Sequence, residues 1–241
     1  YLETENGNFK KSALEVSSYG RQLADETKTN LYGIAFNSSN PTKIQKYGVE
    51  KLINIKTDHV FDARVFADLL CKNFKELGGT IFITGSSADS RFIFPVVSIL
   101  LDASYATNVV DFPSGISPLV LKRSAFTNKG FVFTELKTKY KIIGILNNSY
   151  GIFESERKLE VKEYMAESQD SNLQVESIKE DEEKISIADA EIVVSGGRGL
   201  KGPENWDLVE DLAKTLGAAT ACSKPVSDMG WRPHSEHVGQ T

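Results

Sequence analysis

The chain has 241 residues, a formal net charge of −5, 40% hydrophobic and 25% charged residues. That length suits one large α/β domain, or one domain and part of another, and the composition supports a buried core rather than disorder. Neither sign of charge dominates a long block, which excludes the concentrated basic footprint of a nucleic-acid binder. No apolar run approaches the roughly 20 residues needed to cross a bilayer.

In chain order, Ala13, Leu14, Val16 and Leu23 predict a helix over residues 9–24, weakened by Gly20, and residues 31–36 read as a buried strand. Residues 52–55 form a short strand. Phe61, Val65, Phe66, Leu69, Leu70, Phe74 and Leu77 then recur at helical spacing until Gly78-Gly79 ends the helix. Residues 80–84 are the next strand. Strands alternating with amphipathic helices predict βαβ units and a mainly parallel sheet.

Loop 85–91, rich in Ser, leads into a helix carrying Phe94, Val97, Leu100 and Leu101. Small residues at such a junction either receive an anion on free backbone N–H groups or cap the helix, and capping is the commoner meaning. Residues 119–125, 130–136 and 141–146 are β-rich and read as hairpins that finish the sheet, with Lys122, Arg123 and Lys129 on the solvated side of edge strands. Residues 155–187 turn polar and include the run Glu180-Asp181-Glu182-Glu183-Lys184. A solvated connector and a domain junction are expected there, giving a first domain over 1–185 and a second over 186–241. Residues 188–194 resume a buried strand.

Cys71 and Cys222 lie far apart in apolar segments and read as unpaired thiols of a reducing compartment. With three histidines and no His-Glu-x-x-His or Cys-x-x-Cys spacing, no metal site is expected.

The informative chemistry begins at residue 191. Strand Glu191-Ile192-Val193-Val194 runs into the loop Ser195-Gly196-Gly197-Arg198-Gly199-Leu200-Lys201-Gly202, and Pro203 opens a helix whose apolar face includes Trp206, Leu208, Val209, Leu212 and Leu216. Gly197, Gly199 and Gly202 meet the G-x-G-x-x-G spacing of a dinucleotide loop. The next strand, 217–222, ends in Ser223-Lys224 instead of the acidic residue that takes ribose hydroxyls in the NAD version. The loop therefore reads as a cofactor site of another kind, the alternative being glycines needed only for a tight turn.

Ser223-Lys224-Pro225-Val226-Ser227-Asp228-Met229-Gly230-Trp231-Arg232-Pro233, followed by His237-Val238-Gly239-Gln240-Thr241, resembles in order and spacing the FAD-domain signature of electron-transfer flavoprotein alpha subunits. Gly7-Asn8-Phe9-Lys10-Lys11, Phe126-Thr127-Asn128 and Ile142-Ile143-Gly144 extend the likeness over nearly the whole chain. The resemblance implies an α/β fold: an N-terminal, mainly parallel-sheet domain like those of adenine-nucleotide hydrolases, then the first part of a Rossmann-like doubly wound FAD-binding domain. It implies FAD and a heterodimer with an electron-transfer flavoprotein beta subunit. Electrons would come from acyl-CoA or other flavin dehydrogenases and pass to a quinone reductase or another acceptor, with no substrate turnover by the carrier itself. The implied location is the bacterial cytoplasm, or the mitochondrial matrix in a eukaryote.

By the same resemblance Arg198 lies beside the flavin and adds positive charge that favours its reduced form. Ser223 and Thr241 offer hydroxyls to the N5 edge, while Val238, Gly239 and Gln240 approach through backbone and amide, and Gly197 belongs to the same rim. Lys224 stands where the family has an arginine packed over the ring, and an ammonium cannot stack or fork as a guanidinium does. His237 stands where many members have glutamine; it either tunes the flavin through a charge change between about pH 5 and 8 or simply points to solvent. Tyr1 is not a methionine and the chain closes on Val238-Gly239-Gln240-Thr241, so both ends are expected to be cut. The family's later segments, which hold the pyrophosphate, ribose and adenine, have no counterpart before Thr241, and a chain ending there is expected to bind FAD poorly. An adenine-nucleotide-binding α/β enzyme and a ligand-free interaction module remain as alternatives.

Overall fold

A computed structural model of the protein describes residues 1–166, 173, 175–177, 187, 190 and 192–239, in two compact units, Tyr1–Val175 and Glu176–Thr241. The first unit contains, in order, β1 (Thr4–Glu5), β2 (Asn8–Phe9), α1 (Lys11–Thr27), β3 (Tyr32–Phe36), β4 (Lys51–Lys56), α2 (Ala63–Glu76), β5 (Ile81–Thr84) and α3 (Ala88–Leu101). It continues with β6 (Ala103–Val109), β7 (Gly115–Ile116), β8 (Leu119–Ala125), β9 (Gly130–Leu136), β10 (Tyr140–Ile145) and β11 (Glu160–Met165).

Two parallel blocks make its centre. One runs β11-β4-β3 and the other β5-β10-β6. The extended residues at the start of the chain lie between them, the Leu2 N–H donating to Ile34 O at 2.8 Å and the Tyr1 nitrogen to Ile83 O at 2.7 Å. Side chains alternate across the strands because successive Cβ atoms point to opposite faces. Ala35, Leu52, Ile143 and Ile145 join the α1 residues Ala13, Val16, Tyr19 and Leu23 in one core. Ile34, Phe36, Ile53, Ile55, Phe82 and Ile142 join α2 and α3 in the other. Helices on both faces of a parallel sheet are the α/β arrangement expected from the sequence.

The helix boundaries follow local chemistry. The Asp62 carboxylate caps α2 by accepting from the Arg64 and Val65 N–H groups at 2.9 and 3.3 Å, and the Ser87 hydroxyl caps α3 through the Ser90 N–H at 3.1 Å. Lys28, in the left-handed region, ends α1 three residues beyond the expected 24. Gly20 is tolerated inside α1 for a packing reason: a Cβ there would stand 2.7 Å from Leu31 Cδ1.

Several expectations need correction. Residues 141–146 are not the third arm of a hairpin. As β10 they pair in parallel with both β5 and β6, and their run of Ile142, Ile143 and Ile145, buried on both faces, is the pattern of a central parallel strand. The hairpin is β8–β9 alone, and β8 is internal, flanked by β9 on one side and by β6 and β7 on the other. Arg123 is accordingly engaged rather than solvated, its Nε donating to Thr107 O at 2.6 Å. Lys122 pairs with Asp111 at 3.4 Å and lies 4.6 Å from the centre of the Phe131 ring. Within the expected connector 155–187, residues Glu160–Met165 form an edge strand that pairs with β4 over six positions. Strand β6 was not foreseen either.

The second unit contains β12 (Val193–Gly196), α4 (Asp207–Leu216), β13 (Ala219–Cys222) and the single turn α5 (Lys224–Asp228). β12 and β13 are parallel, Val193 opposite Ala219 and Gly196 opposite Cys222, so 193–222 is one βαβ unit. Trp206, Val209, Cys222 and Val226 form its core. The helix expected from Pro203 begins as a 3-10 turn, Pro203–Asn205. Leu208, Leu212 and Leu216 do not share the core face of α4; they are 69, 50 and 47% exposed. Val193 is also exposed, where a buried strand was expected. Gly217 is the left-handed C-cap of α4 rather than a strand residue. Glu191 and part of the expected strand 188–194 lie outside the described residues. No helix among the described residues is long and apolar enough to cross a membrane.

Candidate functional site

In open parallel sheets, ligands lie beyond the carboxyl ends of the strands. In the second unit three backbone segments end there side by side. β12 leads into the 3-10 turn Arg198–Leu200, β13 leads into Ser223, and His237 forms a parallel bridge with Cys222 on the far side of β13. The Val238 N–H donates to Cys222 O at 3.0 Å, and the Ser223 N–H to Gly196 O at 3.0 Å, so the three segments are held in one register.

The structure thus brings most of the expected site residues to one rim. Arg198 is the first residue of the 3-10 turn and is exposed. Ser223 is the N-cap of α5, yet its hydroxyl makes no capping hydrogen bond. Its Oγ instead lies 3.7 Å from where a Cβ on Gly197 would stand. Lys224 opens α5 and is exposed, while His237 and Val238 are half-buried. Gly239 is in the left-handed region at φ 105°. Gln240 and Thr241, the other two expected contacts, lie outside the described residues.

A flat ring needs uncluttered backbone, and this rim supplies it. A Cβ on Gly199 or on Gly239 would meet nothing within 4 Å. The 3-10 turn leaves its first N–H groups without partners inside the turn, and Arg198 and Lys224 place two cations at the ends of neighbouring strands. Open space, donors without partners inside the turn, and positive charge fit the ring end of a flavin, whose electronics respond to hydrogen bonds and nearby charge.

Beneath the rim the packing is close. A Cβ on Gly196 would stand 2.7 Å from Trp206 Cη2. Burial pushes the Cys222 thiol above its ordinary range, with Glu236 adding to the effect. Cys71 and Cys222 are both buried and unbonded to each other. Trp206 Nε1 is buried without a hydrogen-bond partner among the described residues. Arg232, which the sequence did not single out, donates from Nε and Nη2 to the two Glu236 oxygens at 2.7 Å each. Its Nη1 reaches Glu210 at 3.0 Å. The only sequence signal for this cluster is an Arg and a Glu four apart in a turn-rich stretch.

In the first unit, loop 85–91 behaves as a cap rather than an anion cradle. Ser87 caps α3, the Ser86 N–H is taken by Asn147 Oδ1 at 3.2 Å, and the Ser86 hydroxyl by Ile145 O at 2.7 Å. Among the described residues no group of three or more His, Cys, Asp or Glu side chains is placed to hold a metal ion.

The model of the electron transfer flavoprotein domain matches residues 1–169. The chain belongs to the electron transfer flavoprotein family. The model of the electron transfer flavoprotein FAD-binding domain matches residues 186–241, so the rim just described lies in a domain that binds FAD. Among curated relatives, the chain is 25% identical over 255 residues to the protein FixB of Clostridium saccharobutylicum, covering 100% of this chain and 75% of that one. It is 24% identical over 247 residues to the electron transfer flavoprotein subunit alpha of Syntrophomonas wolfei, covering 100% and 77%. A probable mitochondrial subunit alpha of Caenorhabditis elegans is 28% identical over 183 residues, covering 73% of this chain and 52% of that one. Together these matches place the chain with the alpha subunits of the family, whose function is electron transfer.

Proposed function

We propose that this alpha subunit pairs with an electron transfer flavoprotein beta subunit. The heterodimer takes electrons from flavin dehydrogenases, such as those acting on acyl-CoA, and passes them to a quinone reductase or another acceptor. It acts as a carrier with no substrate turnover of its own, in a bacterial cytoplasm or a mitochondrial matrix. The working division of the chain is 1–185 as scaffold and 186–241 as cofactor domain. The observation that carries the reading is the convergence of the 197–199 turn, Ser223 and Val238-Gly239 at the carboxyl ends of β12 and β13, with glycine keeping the space open.

FAD, when bound, supplies the redox chemistry. The chain's own residues bind and tune. Arg198 and Lys224 contribute positive charge at the rim. The Ser223 hydroxyl, free of any capping duty, donates or accepts at the ring edge together with the Thr241 hydroxyl. Val238, Gly239 and Gln240 approach through backbone and amide, Gly197 gives the ring room, and His237 lies next to them on the same segment. None acts as acid, base or nucleophile.

The test is to purify the full chain together with a beta subunit. A yellow complex that a reduced acyl-CoA dehydrogenase bleaches supports the reading. A colourless heterodimer that takes up no FAD overturns it.

A further inference from the structure

We infer that Arg232 is a positioning residue for the cofactor rim, a single guanidinium that fixes the relative placement of the backbone segments carrying the candidate contacts. The inference rests on the site proposed above. Three contacts carry it. First, the paired 2.7 Å hydrogen bonds to Glu236 are bidentate, the geometry in which an Arg–carboxylate pair fixes direction as well as distance. Glu236 immediately precedes His237 and Val238, so the fork anchors the segment that pairs with Cys222. Second, Nη1 reaches Glu210 at 3.0 Å on α4, the helix that follows the glycine loop. Third, the guanidinium carbon lies 5.3 Å from the centre of the Trp206 ring, whose other contacts include Gly196 at the start of that loop.

Burial decides which of these matter. The Arg232 and Glu236 side chains are only 17 and 8% exposed, so that pair is shielded, whereas Glu210 is 47% exposed and its ion pair is weak. Hydrogen bonding to Glu236 also raises the Arg232 pKa, keeping the group charged at any working pH. Backbone geometry delivers the side chain to this place. Gly230, at φ 73°, reverses the chain after α5, and the Trp231 N–H bonds back to Val226 O at 3.1 Å. Arg232 does not itself approach the ring. It acts through Glu236 on Val238-Gly239 and through Trp206 on the 196–199 turn, so its loss would loosen the two sides of the rim against each other and leave only the backbone hydrogen bonds at Cys222 and Gly196 to hold them.

The test uses the full chain with Arg232→Gln, Arg232→Lys and, as a probe of the site itself, Gly199→Val. Without FAD, amide exchange of the Val238 N–H should quicken about tenfold or more in Arg232→Gln, the scale of a lost charge-assisted hydrogen bond, while amides within α4 stay protected. With FAD, the dissociation constant should rise by about the same factor and the visible circular dichroism of the bound flavin should change. Arg232→Lys keeps the charge and the aliphatic stem but not the fork, and should fall between wild type and Arg232→Gln. Unchanged Val238 exchange in Arg232→Gln overturns the inference whatever FAD does. Faster exchange with unaltered FAD binding overturns it too, provided Gly199→Val weakens binding. If neither variant affects FAD, the site is misplaced and the inference falls with it. If Arg232→Gln does not fold, wild-type exchange and flavin spectrum in Arg232→Lys are the refuting result.

Discussion

Gly196→Ala tests the packing beneath the rim. The added Cβ would stand 2.7 and 2.8 Å from Trp206 Cη2 and Cζ3 and 2.9 Å from Leu200 Cδ1. The indole cannot easily retreat, since Trp206 is 3% exposed and the Arg232 guanidinium lies over its ring. Overpacking of this kind costs about 1–3 kcal/mol. In a unit this small, about 2 kcal/mol lowers the melting temperature by roughly 10 °C. The assay is selective, because both tryptophans of the chain, Trp206 and Trp231, lie in the second unit, so their fluorescence reports that unit alone. Gly199→Ala, three residues on, is the control. Nothing lies within 4 Å of its Cβ and its φ is outside the left-handed region, so its stability should stay within about 0.5 kcal/mol of wild type. Equal melting of Gly196→Ala and wild type, or equal losses in both variants, would refute the argument.

Other outcomes follow from the same geometry. The buried Glu15 carboxylate accepts from the Asn148, Tyr150 and Gly151 N–H groups at 2.8, 2.8 and 3.1 Å. Glu15→Ala should therefore destabilise the first unit by about 3 kcal/mol in urea unfolding followed by far-ultraviolet circular dichroism, and Glu15→Gln by less. Burial pushes the Cys71 thiol from its usual value near 9 up to about 11. The folded state thus holds the proton more tightly, so this contribution to stability is full below pH 9 and is lost as pH rises to 11; Cys71→Val should flatten that part of the urea-midpoint profile. Arg198→Ala removes a rim cation and should lower the flavin midpoint potential in a spectroelectrochemical titration, by about 30 mV for each 1.4 kcal/mol of lost stabilisation of the two-electron-reduced ring. Lys224→Arg should alter the same potential without altering far-ultraviolet circular dichroism, because only the guanidinium can stack.

What could be read from the sequence depended on how far the cause of each feature lies from the residue itself. The amphipathic spacing of Val65 through Phe74 is a local property, and α2 forms where it predicts. The run Ile142-Ile143 announces a strand, but whether that strand joins a hairpin or the central sheet depends on β5 and β6, which no local pattern names. β11 escaped because edge strands carry charge: Glu160, Lys162 and Glu163 look like a connector until β4 is beside them. α4 misled in the opposite sense, since Leu208 and Leu212 obey helical spacing and yet only Val209 and Ala213 of that helix are buried. At the candidate site the Ser223 to Gly239 stretch could be read only through its resemblance to the family signature, whereas the glycine loop was legible because backbone space and turn chemistry are written in residue types. The Arg232 cluster was not, because its partners come from α4 and from a 3-10 turn that meet only after folding.

The late return of the chain to β4 also bears on synthesis. Glu160 pairs opposite Lys51, a strand made more than a hundred residues earlier, so as the polypeptide leaves the ribosome the outer edge of β4 waits with open backbone groups until residue 165 has emerged. In that interval the edge is a template for any other extended chain. The charged residues that disguise β11 give it a second use here: Lys51–Glu160 and Lys56–Glu163 ion pairs favour the correct strand and register over a purely apolar intruder.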